Sequence, residues 1–175
     1  MEKLLPFSPH GGQFALSASL SVAGGLWHLK YELRDPSLEI LGAPVTGSYE
    51  GKDVVRTGEL WRETCFEAFW AQEKGGPYWE LNLSPSGRKW GLYRFDGYRV
   101  PFPPVPSEDF LLERINIRDG FLDCVLTPQI ALKNVEASLC AVLKTASDTH
   151  YLAVAHAGAK PDFHLRGSFC LRPGA

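Results

Sequence analysis

The stretch FALSASLSVAGGLWHLKYEL, residues 14–33, decides the fold class. Phe14, Leu16, Ala18, Leu20 and Val22 alternate with small residues. Gly24 and Gly25 then interrupt the run, after which Trp27, Leu29, Tyr31 and Leu33 alternate with His28, Lys30 and Glu32. A period of two puts every second side chain on one face of an extended chain, so the stretch predicts two half-buried strands joined as a hairpin at the glycines.

The same pattern recurs along the chain. It predicts further strands at residues 64–70, 78–83, 91–95, 110–118, 121–126, 137–144 and 150–156, punctuated by turn signals such as Asp96-Gly97 and Asp119-Gly120. No segment carries a long helical stripe. Residues 129–136 are the one candidate for a short helix, with Pro128 and Val135 against it. Residues 34–60, rich in glycine and carrying Pro36 and Pro44, and residues 101–106 (PFPPVP) read as loops inside one domain, the prolines arguing against a central strand. With no internal repeat, the expectation is a single domain over residues 1–175, an all-β antiparallel β-sandwich of jelly-roll type.

Composition narrows the partners. A chain of 175 residues is long enough to bury a substantial core. Charged residues make up 22% and the formal net charge is −2, so no polyanion-binding surface, and no nucleic acid, is expected. The opening MEKLLPFSPHGGQF has only a two-residue apolar run before Pro6, and no later stretch is long enough to span a bilayer, so no membrane is expected and a cytoplasmic location is. Cys65, Cys124, Cys140 and Cys170 are widely spaced without a CxxC pair, which suits buried thiols in a reducing compartment better than a zinc site or a disulfide framework.

The candidate site lies in CFEAFWAQEKGGPYWELNL, residues 65–83. If residues 64–70 and 78–83 pair about a turn at Glu73 and Lys74, Glu67 faces Glu80, Cys65 faces Asn82 and Phe69 faces Tyr78. One face then presents Cys65, Glu67, Phe69, Tyr78, Glu80 and Asn82. The other, with Phe66, Ala68, Trp70, Trp79, Leu81 and Leu83, belongs to the core. Like charges facing each other destabilise a sheet, so something must offset them: an arginine (Arg62, Arg88, Arg94 or Arg99), a bound cation, a shared proton, or the hydroxyls of a ligand. Carboxylates accept hydrogen bonds from adjacent hydroxyls and aromatic faces cover the C–H surface of a sugar ring, so the mixture suits carbohydrate. The plainer alternative is an acid–arginine network on a solvated face, and a register slip of one residue would separate the acids.

Three blocks carry a resemblance: LWRETCFEAFW (60–70), YWELNLSPSGRKWGLYRFDGYR (78–99) and YLAVAHAGAKPDFHLRGSF (151–169). Together they resemble the DOMON-like family of bacterial proteins related to family 9 carbohydrate-binding modules. The resemblance implies a β-sandwich whose concave sheet face binds a small ligand, sugar or haem in the broader group. It puts weight on Trp61, Glu67, Glu80, Asn82, Ser84, Trp90 and Arg94, and on His156, Asp162 and His164 near the C-terminus. In family 9 modules a sugar is held between tryptophans, which implies Trp61 and Trp90 as the pair. Where many relatives carry proline after the first histidine of the last block, this chain has Ala157.

Each of these residues also has a structural reading. Trp61 and Trp90 could belong to the core or its rim, and Ser84-Pro85-Ser86-Gly87 could be a turn whose hydroxyls bond local backbone. Arg94 could merely neutralise an acid, Asp162 could serve a turn, and His156 and His164 could be satisfied loop histidines. A methionine–histidine haem site lacks its methionine, Met1 being the only one, which leaves only a bis-histidine arrangement of His156 and His164. Glu67 and Glu80 facing each other would sit about 5 Å apart, as in retaining glycosidases. Against catalysis, the chain has no GxSxG, HExxH, phosphate loop or GxGxxG. The expectation is non-catalytic binding of a small polyhydroxylated ligand, a sugar or cell-wall-derived saccharide, with no cofactor assigned and with haem and calcium dependence left open.

Overall fold

The computed structural model describes residues 1–9, 11–72 and 76–174. Its strands in chain order are β1 (Glu2–Lys3), β2 (Leu5–Pro6), β3 (Ala15–Ala23), β4 (Leu26–Arg34), β5 (Gly47–Glu50), β6 (Val55–Arg56) and β7 (Cys65–Ala71). There follow β8 (Tyr78–Leu83), β9 (Lys89–Phe95), β10 (Val105–Pro106), β11 (Phe110–Arg118), β12 (Phe121–Pro128), β13 (Glu136–Lys144) and β14 (Thr149–Ala153). The helical residues among those described form three short 3-10 turns, at Gly51–Asp53, Leu60–Arg62 and Arg166–Ser168.

The strands form two antiparallel sheets packed as a β-sandwich. One runs β1-β3-β4-β12-β11-β5; the other runs β10-β9-β8-β7-β13-β14-β2, with β6 added in parallel beside β9. The alternation in residues 14–33 reappears as burial: Trp27, Leu29, Tyr31 and Leu33 are buried, while His28, Lys30 and Glu32 are not. Ala23 pairs with Leu26 across Gly24 and Gly25, both of which have positive φ (58° and 80°). Two left-handed residues give the tight turn a twist matching that of the strands, and glycine adopts that conformation without a Cβ penalty.

The core fills the space between the sheets. Leu16, Leu29 and Tyr31 meet Phe66, Trp70, Leu81, Leu83 and Leu139, with Tyr31 stacked on Phe66 at 4.9 Å. The second sheet departs from simple alternation, for all seven residues of β7 and all six of β8 are buried. Its outer face is covered too, by a smaller cluster in which Phe69, Tyr78, Tyr93, Phe95 and Val142 meet Phe163 and Phe169 from the C-terminal segment. A strand covered on both faces can be apolar throughout, and a lone carboxylate on it is conspicuous.

Four expectations need correction. First, β7 and β8 do pair antiparallel, but Glu67 faces Asn82, Phe69 faces Glu80 and Ala71 faces Tyr78. Glu67 therefore does not face Glu80, Cys65 does not face Asn82, and Phe69 does not face Tyr78. The observed register sets Trp70 opposite Trp79 and keeps the two carboxylates diagonal, which avoids direct like-charge opposition. Because the shift preserves parity, both faces keep the residues expected of them. The expected turn at Glu73 and Lys74 lies outside the described residues.

Second, residues 129–136 are not helical: Ile130 and Leu132 both pack on the core at the spacing of an extended chain. Third, residues 34–60 are not only loop, since β5 pairs with β11 and β6 with β9. Fourth, residues 105–106 of the proline run form a strand, β10, at the sheet edge where a missing N–H is tolerated.

Candidate functional site

Alternate residues of β7, β8, β9 and β13 point away from the sandwich core, and this outer face forms the floor of a cavity of about 200 Å³. Glu67 from β7 and Glu80 from β8 line it beside Phe69, Phe95 and Val142. Its walls come from three connections: Trp61 from the second 3-10 turn, Arg99 and Phe102 from the loop after β9, and residues 161–164 of the C-terminal segment. A second cavity of about 570 Å³ adjoins it, sharing Trp61, Phe102 and Pro104 and reaching Arg56, Tyr93 and Pro106.

The acids are held in place from below. Asn82, fully buried, donates its Nδ2–H to Glu80 Oε1 at 2.7 Å, and the Tyr31 hydroxyl donates to the Glu67 backbone carbonyl at 2.7 Å. Cys65 and Cys140 lie in the same layer, their Sγ atoms 3.6 Å from Asn82 Oδ1 and the Glu67 carbonyl oxygen respectively. Glu67 Oε1 is buried and has no hydrogen-bond partner within the protein.

Burial, reinforced by the neighbouring Glu80 charge, pushes the Glu67 carboxyl well above the usual carboxylate range. Burial likewise raises Glu80, to about 7, against the opposing pull of its Asn82 hydrogen bond and of Arg99. Both shifts favour the protonated form, so the two diagonal carboxyls resist carrying their charges together.

Above the acids lies a chain of hydrogen bonds. The Arg99 backbone N–H donates to the Tyr78 hydroxyl at 3.1 Å, and that oxygen is 2.8 Å from His164 Nδ1. The other ring nitrogen, Nε2, lies 3.7 Å from Glu80 Oε2. The contact has the span of an ion pair but is not one at neutral pH, because burial and the Arg99 charge push the His164 pKa down to about 4. Burial keeps the Tyr78 hydroxyl protonated, its pKa raised to about 12.

Asp162 organises the rim. It accepts from the Tyr98 hydroxyl at 2.5 Å and from Arg99 Nη2 and the His164 backbone N–H, both at 3.1 Å. Burial alone would raise its pKa, but these donors outweigh burial and hold the carboxyl below its ordinary value. Arg99 is therefore paired with Asp162, and Phe69 and Phe95 meet the His164 ring in T-shaped contacts at 5.0 and 5.1 Å.

Of the residues singled out in the sequence, Trp61, Glu67, Glu80, Asp162 and His164 line one cavity, with Asn82 directly beneath. The other four do not. Trp90 shares the core-facing side of β9 with Leu92 and has Arg56 over its ring at 4.6 Å, so Trp61 and Trp90 do not form a facing pair. Arg94, on that same side of β9, points past the core into solvent and pairs with Asp96 at 3.3 Å. Ser84 bonds Ser86 at 2.9 Å in the turn before β9. His156 commits Nε2 to the Leu5 carbonyl at 2.8 Å and packs on Phe7, which ties the C-terminal segment to β2 rather than to the cavity.

Sequence reasoning placed Tyr78 on this face without its link between Arg99 and His164, and placed Arg99 only among four candidate arginines. Arg99 has positive φ (54°), a backbone feature that no local residue pattern announces. Among the described residues no cluster of three or more His, Cys, Asp and Glu side chains is arranged to hold a metal ion. No described helix is long and apolar enough to cross a membrane.

A scan of family models and a search of curated proteins find no match to this sequence. The fold is similar to the crystal structure of a protein from Bacteroides uniformis ATCC 8492 that is provisionally described as carbohydrate-binding. The TM-score is 0.61 at 12% identity, covering 97% of this chain and 84% of the other. At that identity the likeness establishes a shared β-sandwich fold over nearly the whole chain.

Proposed function

We propose that this protein binds a small polyhydroxylated ligand, a sugar or cell-wall-derived saccharide, and releases it unchanged. The observation that carries this reading is the unpartnered, buried Glu67 Oε1 at the floor of a cavity rimmed by aromatic rings. A buried acceptor without a donor is costly, and a ligand hydroxyl reaching Glu67 would satisfy it. Trp61, Tyr151 and the 84%-exposed Phe102 offer apolar faces to ring C–H groups at the mouth. The 200 Å³ of the inner cavity is below the ~300–1,000 Å³ of drug-sized sites, which suits one sugar ring, with further units directed into the adjoining cavity.

The DOMON-like resemblance and the carbohydrate-binding description of the structural neighbour support the same reading. A cytoplasmic setting belongs to the proposal as well, in keeping with four free thiols, three of them buried. Haem is a poorer fit: His156 lies away from the cavity, and both histidines have a ring nitrogen engaged within the protein.

Thermal melts with glucose, galactose, glucosamine and cellobiose test the reading. Ligand at about 100 times its Kd adds about 2.7 kcal/mol, or about 5–10 °C for a chain of this size. No shift with any of these sugars would remove the proposal. Turnover of an aryl glycoside by the native protein, lost in Glu67→Gln and Glu80→Gln, would replace it with a glycosidase reading.

A further inference from the structure

We infer that the ligand carries a protonated amine, so that this site selects amino sugars over neutral and acidic ones. The inference rests on the sugar-binding reading and deepens it. Its basis is the balance of charge around the cavity. Three carboxyls line it, Glu67, Glu80 and Asp162, along with one arginine. Arg99 is bound to Asp162 at 3.1 Å, so the one arginine already has a carboxylate partner and acts on Glu67 and Glu80 only through space. Among the described residues no lysine or arginine forms an ion pair with Glu67 or Glu80, and the nearest basic group, His164, is neutral at pH 7.

Two carboxyls therefore share the floor without a directly paired cation among the described residues, and Glu67 Oε1 has no donor. A hydroxyl would supply a hydrogen bond and leave the charge unbalanced. An ammonium group supplies up to three donors and the missing positive charge together. The surroundings suit a cation, because the rings of Phe69, Phe95 and Trp61 border the same space and a ring face attracts an ammonium within about 6 Å of its centroid. An acidic sugar would instead set a further carboxylate against the two floor carboxyls.

Calorimetry at pH 7 with glucosamine, glucose, N-acetylglucosamine and glucuronic acid tests the inference, with cyclohexylamine as an amine that lacks hydroxyls. Glucosamine should bind at least tenfold more tightly than glucose, and N-acetylation, which removes the charge, should abolish the advantage. In Glu67→Gln, with folding verified by circular dichroism, the glucosamine-to-glucose ratio should fall toward one. Glu80→Gln serves as the second variant. Equal or tighter binding of glucose overturns the amine inference and leaves the sugar reading standing. Cyclohexylamine binding as tightly as glucosamine upholds the amine and removes the sugar reading. No binding by any probe removes both, and stabilisation by calcium chloride that competes with glucosamine overturns the inference in favour of a metal ion.

Discussion

Glu80→Gln should raise the melting temperature by about 6–12 °C at pH 8 and leave it almost unchanged at pH 4.5. Burial lifts the Glu80 carboxyl from an ordinary 4.5 to about 7, so the folded chain holds this proton more tightly than the unfolded chain. The associated stability is fully present below pH 4.5 and is lost as pH rises through about 7. A displacement of that size is worth on the order of 3 kcal/mol, and a chain of this size gains about 2–4 °C per kcal/mol. Glutamine cannot ionise, yet its carbonyl oxygen still accepts from Asn82 Nδ2, so the variant avoids the loss.

His164 acts in the opposite sense: its pKa is lowered to about 4, so its contribution is present above an ordinary 6.5 and lost as pH falls through about 4. The native protein should therefore show a broad stability maximum at mildly acidic pH, and the variant a smaller decline above it, since the buried Glu67 carboxyl still resists ionising. Melting curves from pH 4 to 9 for both proteins decide the matter. A variant destabilised at pH 8 would mean that Glu80 is ionised in the folded protein and anchors a cation, rather than being held toward its protonated form by burial. Sugar affinity should fall in the same variant by about tenfold to a hundredfold, the worth of one charge-assisted hydrogen bond.

Trp70→Ala should cost about 3–5 kcal/mol, lowering the melting temperature by about 6–20 °C, whereas Trp70→Phe should cost much less. The Trp70 ring is fully buried between the sheets, 5.2 Å from Trp27 and 4.9 Å from Phe110. Its role is volume, because Nε1 is buried without a partner. Phenylalanine retains most of the contact area and removes the unsatisfied N–H, so two opposing effects nearly offset. Trp79 provides the contrast, for its Nε1 donates to Asp109 Oδ2 at 2.7 Å and Trp79→Phe loses a made bond, costing about 1–3 kcal/mol. Urea titrations of the three variants rank them, and a Trp70→Phe protein as weak as Trp70→Ala would show that the indole shape itself is required.

The legible part of the fold is the part that alternates. Residues 15–34 declare a hairpin through their period of two, and the parity of Glu67, Glu80 and Asn82 on one face survives a register error because the error is even. Register itself depends on the connection between β7 and β8 and on which large rings oppose each other, neither of which periodicity reports. Parity could have removed Trp90, which shares its face of β9 with Leu92 while Tyr93 and Phe95 take the other. Arg99, Asp162 and His164 meet over the acids through irregular chain, where no repeating pattern exists to be read. His156 looked equivalent to His164 for the same reason. Its actual partner, the Leu5 carbonyl, lies at the far end of the sequence.

The covering of the second sheet by residues 161–169 separates durability from discrimination. The layers between the sheets hold the fold, and they touch the cavity only through the backs of strands whose outer residues form its floor. Apart from Tyr151 on β14, the residues that shape the opening, including Trp61, Phe102, Asp162 and His164, hang on connections separate from the layer of Phe66, Trp70 and Leu81. Descendants of such a chain could inherit an acidic floor unchanged and acquire new molecular tastes by rewriting a few loop positions, much as one lock body accepts different cylinders.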